Sequence, residues 1–474
     1  MGTSIELKVS GVSLDCAKNN MGNDYGYLFQ ESDLARRPCD GIDYDYYRNH
    51  PEDDDDLAEI ELAFVRPLGR VTPRLFVLGH TLESARAEYE AVVAEAASIS
   101  EADAPDARFL DFGEFCALAN LFPLAGLADE YIDYDTDERA TLAQGRFAAH
   151  AASFARVPWT ENSDSYWSEA SFLAAKLGIL SAPSMLLIFS LNPANSDAEV
   201  VWQFGNIVNA GWVERSSFAA GAQRTHAILV ATEGASDARI LRRALDLLRP
   251  DVTDFFRFID GEERHHFWGT GNLVRFAEGL VRIDIQNQVL FLLDNDAEGI
   301  DAYRKLQELK MPNNLRSMVL PEIEELRLFP ALGPEGLSEC DINGRAAAIE
   351  CYLDLNLPDC PPARVIWSNY KREIDAWHGA LEHKESYDRH FMNQDAETLA
   401  AGKIRHIQAR PGTRRFDCRG LATWKTHRVI VRGATRHGGG TARIATGLSR
   451  RPRARSSCRE PRSMSVLGVR RHAE

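Results

Sequence analysis

No Cys-x-x-Cys pair occurs in this chain, whose eight cysteines stand at positions 16, 39, 116, 340, 351, 360, 418 and 458. That spacing excludes a zinc ribbon and a redox dithiol, and leaves reduced core or surface thiols. Long apolar runs are missing too: no stretch approaches the roughly 18 to 20 residues of a membrane-spanning helix. The opening "MGTSIELKVSG" lacks the charged-then-apolar order of a secretory leader, and Glu6 occupies the position where a myristoylation signal requires Ser or Thr. The expectation is a cytoplasmic protein with no membrane partner.

Basic residues are scarce until the end. The last 74 residues hold 19 Lys and Arg against Asp417, Glu460 and Glu474, which leaves 35 basic and 67 acidic residues before them, a balance of −32. Of those 19, 17 are Arg, and the segment has little apolar periodicity. Residues 396–474 therefore read as a basic, Arg-rich tail, either a disordered arm or an aberrant end such as an out-of-frame translation would give.

What is present divides the remainder in two. Residues 1–220 read as an α-rich domain with a few strands near its start. "IELKV" alternates apolar and polar, "TLESARAEYEAVVAEAASIS" carries Leu82, Ala85, Tyr89 and Val92 on one helical stripe, and "SMLLIFSLN" is a buried segment of either type. The run "PEDDDDLAE" reads as a solvated loop, because consecutive like charges repel. From 221 to 395 the pattern changes. Strands in "HAILVAT", "FFRFI", "VLFLL" and "RSMVL" alternate with helices in "SDARILRRALDLL", "NLVRFAEGLV" and "IDAYRKLQEL". Such alternation predicts an α/β, Rossmann-like domain with a parallel sheet and right-handed crossovers.

The chemistry is carried by acids at strand ends. "VLFLLDNDAEGID" runs an apolar strand directly into Asp294 and Asp296, and parallel sheets bind ligands at the carboxyl ends of their strands. Two neighbouring carboxylates repel unless a cation lies between them, which favours a divalent metal; the alternative is a strand-to-helix turn in which one of them caps the helix. At the end of the first strand "ATEGASDARIL" supplies Glu233, with Asp237 on the first helical turn. If the first and third strands are neighbours, these acids converge with Asp294 and Asp296 into a magnesium or manganese site open to water and phosphate.

The glutamate in "VATEGASDARIL" and the pair in "FLLDNDAEG" resemble the Toprim domain, shared by type IA and II topoisomerases, bacterial primases, recombination proteins and OLD-type nucleases. The resemblance covers about residues 225–330. It implies acid/base or metal-binding work for Glu233 and magnesium binding by Asp294 and Asp296, with Asp237 as the additional acid of the nuclease branch. Glu322, in "PEIEEL", stands where OLD-like nucleases supply a further acidic ligand. More narrowly, "IELKVSGVSLDCAKNNMGNDYGYLF" and "LPEIEELRLFPALGPEGLSECDINGRAAAIECYLDL" resemble HEPN/Toprim-associated bacterial proteins, which implies a role in antiphage defence or abortive infection. A second copy of the chain or a defence-system protein would be the partner. One departure is that active HEPN ribonucleases separate their Arg and His by four to six residues, whereas Arg146 and His150 in "RFAAH" are separated by three. That pair reads as a helix-surface pair.

A topoisomerase needs a strand-passing domain with a nucleophilic tyrosine, and a primase brings a zinc module. Neither fits this chain. The expected activity is a metal-dependent nuclease acting on DNA or RNA. The alternatives are a non-catalytic nucleic-acid-binding Toprim module and a haloacid-dehalogenase-like phosphatase with Asp294 as nucleophile. Arg239, Arg242 and Arg243 on the first helix are the candidate phosphate contacts, and Lys371, Arg372 and Lys384 with Tyr370 and Trp377 form a second basic, aromatic stretch. Asp341 to Gly344 reads as a turn before a helix, with Glu350 a further acid. His265 and His266 read as loop residues, and "GTG" at 269–271 is a weak phosphate-loop signal.

Overall fold

A computed structural model describes residues 3–99, 109–133, 138–159, 166–259, 269–357, 360–372 and 375–395. His265, His266 and the tail 396–474 lie outside the described residues.

The N-terminal part is built on an antiparallel sheet of β1 (Ser4–Val9), β2 (Val12–Lys18), β3 (Leu34–Arg36), β4 (Leu62–Pro67) and β5 (Glu199–Gln203), in the order β2-β1-β5-β4-β3. More strand is present than the sequence patterning suggested. β5 returns from the far end of the region to sit at the sheet centre, and its alternating Val200 and Trp202 are buried. Helices Leu68–Val77, Leu82–Ile99, Phe112–Ala119, Glu169–Leu177 and Ala182–Phe189 share a core with the sheet, around Trp202, Tyr89, Phe115, Phe147 and Phe189. "SMLLIFSLN" is thus helical, with every residue of Ala182–Phe189 buried.

The acidic run is not a loop. Residues Asp54–Ile60 form a helix in which Asp54, Asp55 and Asp56 occupy the first turn, where their charge meets the positive end of the helix dipole. Among the described residues no single helix is long and apolar enough to cross a membrane. A bent pair, Glu169–Leu177 with Ala182–Phe189, passes by length and composition, and both belong to the core.

The following region is mixed α/β. Strands β6 (Ile228–Ala231), β7 (Phe256–Ile259), β8 (Gln288–Leu293) and β10 (Leu315–Val319) form a parallel sheet ordered β10-β8-β6-β7. The first and third strands of the region are neighbours, as convergence of the acids requires. Alternate side chains explain the unbroken apolar runs. Ile228, Val230, Leu290 and Leu292 pack with Ile240, Leu241 and Leu245 of α1 (Ala235–Leu248). On the opposite face Ala231, Val289, Phe291 and Leu293 pack with Leu273 and Ala277 of α2 (Thr270–Arg282) and Ala302 and Leu306 of α3 (Ala297–Glu308).

Beyond this sheet lie β11 (Phe329–Gly333), β12 (Gly336–Cys340), β14 (Val365–Lys371) and β15 (Ala376–Leu381), in the order β12-β11-β14-β15, and a closing helix α4 (Lys384–Met392). A two-residue ladder joins β9 (Asn295–Asp296) to β13 (Ala346–Ala347). This bridge ties the end of β8 to residues some fifty positions later, and it corrects the expectation of a helix after Gly344: Ala346 and Ala347 are extended and Ile349–Tyr352 is a single 3-10 turn.

Candidate acidic site at the carboxyl end of the parallel sheet

β6 and β8 end side by side, so Glu233 and Asp294 leave the sheet at one edge. The Asp294 amide donates to Glu233 Oε1 at 3.0 Å, and Asp294 Oδ1 accepts from the Ile349 amide at 3.0 Å. Asp296 lies two residues on along an extended chain, hence on the same side. Its Oδ1 accepts from the amides of Glu298 (2.9 Å) and Gly299 (2.7 Å), capping α3. The capping and cluster readings of this acid therefore hold together. Asp237 turns back from the first turn of α1, with Oδ2 accepting from the Gly234 amide at 2.9 Å. Asn295, between the aspartates, points away and accepts from the Gly344 amide at 2.9 Å, which locks the 341–345 turn against the strand end.

That turn and the β9–β13 ladder bring in Glu350, only 4% exposed, an acid that a short motif had marked without placing it. Burial acts on all five carboxyls, and repulsion from the other acids adds to it at Glu233, Asp237 and Asp294. Burial, then the Asp296 charge, pushes Glu233 up to about 8; burial, then Glu350, pushes Asp237 up to about 6. Asp294 is held well above the usual carboxylate range by burial and then by Asp237, Glu233, Asp296 and Glu350, so it lies electrically between the other acids. Asp296 and Glu350 are raised too, chiefly by burial. Basic side chains offset this in part: Lys384 at the start of α4 favours the charged forms of Asp237 and Glu350, Arg239 that of Glu350, and Lys371 that of Glu298.

Such a site is short of positive charge. Its donors are all oxygens, the set preferred by hard divalent cations, and those hydrogen bonds hold one oxygen of Glu233, Asp294, Asp296 and Asp237. As the side chains stand, no three of His, Cys, Asp and Glu among the described residues are grouped to hold an ion. The donor set is of the all-oxygen type that hard divalent cations take.

The raised carboxyls make a stability prediction whose sign is fixed. A native-state pKa above the unfolded one means the native protein binds the proton more tightly, so the contribution of Glu233 to stability is fully present below about pH 4.5 and is lost as pH rises towards about 8. Glu233→Gln keeps the acceptor for the Asp294 amide and removes the charge. It is expected to raise stability by about 1–3 kcal/mol at pH 8 and to change little at pH 4, read by urea unfolding at both.

Gly299 sets the tightness of the cluster. A Cβ there would stand 2.1 Å from the Asp294 carbonyl oxygen and 2.9 Å from Glu233 Oε1, so α3 starts as close to the strand end as a backbone permits. Gly299→Ala must push α3 outward, with an expected loss of about 1–3 kcal/mol in thermal or urea unfolding.

The remaining sequence candidates fall elsewhere. The Glu322 side chain is 68% exposed and 3.6 Å from Arg327, at the surface and not among the buried acids. Arg239 pairs with Asp388, Arg243 donates to the Gln394 carbonyl at 2.6 Å, and Arg242 lies over the Phe258 ring at 5.7 Å, so α4 and β7 engage the three arginines proposed for phosphate. Lys371 is 2.8 Å from Glu298. Arg345 is exposed, beside Asp296 in the chain pairing. Arg146 lies in the 3-10 stretch Gly145–His150, 3.2 Å from Glu169, with its guanidinium over the Phe122 ring. Gly269 to Gly271 open α2, and the Gly269 amide donates to the Glu233 carbonyl at 3.0 Å.

No curated protein and no solved structure matches the chain. Residues 1–226 match the family model described as HEPN/Toprim N-terminal domain 1, so the segment preceding the acidic sheet is similar to that domain.

Proposed function

We propose that the acidic site is the centre of a metal-dependent phosphodiester hydrolase of Toprim type, a nuclease in the OLD-like branch that works in bacterial antiphage defence. The observation that carries this reading is the convergence of Glu233, Asp237, Asp294, Asp296 and Glu350 on one buried locus at the carboxyl end of a parallel sheet. Five clustered carboxylates, Asp237 and Glu350 buried and the other three half-buried, are costly without a cation among them, and a divalent ion relieves that cost. Magnesium or manganese would be held by Asp294 and Asp296 with Glu233, Asp237 and Glu350 as the further oxygen donors.

When bound, the metal supplies polarisation of a phosphate oxygen and a lowered pKa for water. The chain's own part is positional. Backbone amides orient four of the carboxylates, α3 fixes their depth, and Glu233, with its raised pKa, is suited to take or return a proton near neutral pH. The match of residues 1–226 to a HEPN/Toprim N-terminal domain supports the same family of activities.

The test is cleavage of mixed DNA and RNA substrates by the full chain in magnesium, manganese or EDTA, beside the double variant Asp294→Ala, Asp296→Ala. Metal-dependent cutting that the double variant lacks is the expected result. Cutting that survives in the variant or in EDTA overturns the reading. Binding without cutting under every metal favours the non-catalytic module.

A further inference from the structure

The hairpin of β14 and β15 carries two rings that the core does not use. Leu381, Gly379 and Trp377 alternate onto one face of β15, and their cross-strand partners Val365, Trp367 and Tyr370 continue that face on β14. Val365 and Leu381 are core residues and Trp367 packs against them. The row then runs past the core. Tyr370 and Trp377 are 44% and 41% exposed, their ring centroids 5.7 Å apart at an interplanar angle of 69°. Neither ring belongs to a hydrophobic cluster, and the Tyr370 hydroxyl donates to Asp375, which fixes the ring's tilt.

The opposite face of the same hairpin meets the acidic site. Lys371 is 2.8 Å from Glu298, two residues beyond Asp296, and His378, the neighbour of Trp377, acts electrostatically on Asp296 and Glu298. One short element therefore joins an exposed aromatic pair to the rim of the carboxylate cluster.

We propose that Tyr370 and Trp377 form a base-stacking platform, and that the substrate of the acidic site is a single-stranded nucleic acid. The inference deepens the hydrolase reading and rests on it for the site, though not for the platform. Two arguments select this occupant. Bases in a duplex stack on one another and show only their edges, whereas an unpaired base offers a face that an exposed ring can cover. The charge of the protein argues in the same direction. Residues 1–400 carry a balance of −32, and Lys371 is already paired, so next to the site a contact that does not depend on phosphate neutralisation is favoured. Stacking on neutral rings is such a contact, with exposed Arg372 beside Lys371 as the local cation.

The experiment uses the full chain in EDTA, at salt high enough to suppress contacts from the Arg-rich tail. Anisotropy of labelled oligothymidylate is compared with that of its duplex with oligoadenylate. The single strand is expected to bind in preference to the duplex. Tyr370→Ala with Trp377→Ala should weaken it about ten- to a hundredfold, and Tyr370→Phe with Trp377→Phe should restore most of the affinity. Unchanged binding by the alanine pair, failure of the phenylalanine pair to restore it, or equal binding of strand and duplex overturns the platform. Cutting assays then separate the two claims. Metal-dependent cutting of single strands at wild-type rate by the alanine pair overturns the platform and leaves the hydrolase. Ring-dependent binding with no cutting under any metal does the reverse.

Discussion

Glu233→Gln and Asp294→Asn will each lower metal-supported cleavage by at least about a thousandfold, while Glu322→Gln stays within about twofold of wild type. The contrast follows from burial. Asp294 is raised by every other acid of the cluster, so removing its charge weakens the field felt by any ion placed among them. The substitution also leaves an oxygen that can accept from the Ile349 amide, so the loss reports charge and not unfolding. Glu233 is the acid pushed up to about 8, and glutamine there ends proton exchange while keeping the hydrogen bond from Asp294. Glu322 stands in solvent beside Arg327, where a carboxylate contributes little to an ion in the cluster. Rates at saturating magnesium, with magnesium-dependent thermal shifts measured in parallel, check the prediction. A Glu322 variant as impaired as the Asp294 variant would place the metal outside the buried cluster.

Much of this site was legible because it is local. An apolar run covered on both faces, ending in an Asp-x-Asp, states in thirteen residues that a buried strand delivers two carboxylates to a sheet edge. Strand and helix alternation then puts Glu233 beside them, since β6 and β8 are neighbours. Glu350 could not be placed that way. It reaches the cluster through a two-residue ladder between β9 and β13 and through the Asn295 contact to Gly344, and "RAAAIE" by itself has the composition of a helix. The intramolecular partners of the α1 arginines were hidden for a related reason. Their spacing on an exposed face suggests phosphate contacts, but the partners of Arg239 and Arg243 lie about 150 residues on, in or just beyond α4. The N-terminal sheet was under-read because β5 is five residues long and comes from the far end of the region, so no hairpin signal announces it.

Arg74 is where a single substitution is expected to cost the most stability. It lies in the helix Leu68–Val77, is fully buried, and donates to the carbonyls of Tyr27 and Asp251 and, through both terminal nitrogens, to the Asp254 carboxylate at 2.7 and 2.8 Å. Its guanidinium also stacks 4.6 Å from the Phe255 ring centroid. Asp254 heads β7 and accepts from the Ala222 amide at 2.7 Å as well, so this pair joins the helix to the start of the parallel sheet. Burial alone would raise the Asp254 carboxyl, and Arg74, with the Ala222 amide and Gln30, more than offsets it, leaving the group below its usual range. Arg74→Ala takes the guanidinium away from that carboxylate and from the Tyr27 and Asp251 carbonyls and opens a cavity under Phe255. The expected loss is about 3–5 kcal/mol at pH 7 in urea or thermal unfolding. A depressed carboxyl stabilises above its unfolded pKa and loses that contribution as pH falls through its native value, so the gap between wild type and variant should narrow in acid. Arg74→Lys keeps the charge and loses the two-pronged geometry, and should fall between the two. A variant as stable as wild type at pH 7 would mean that the buried ion pair does not fasten the helix to the sheet.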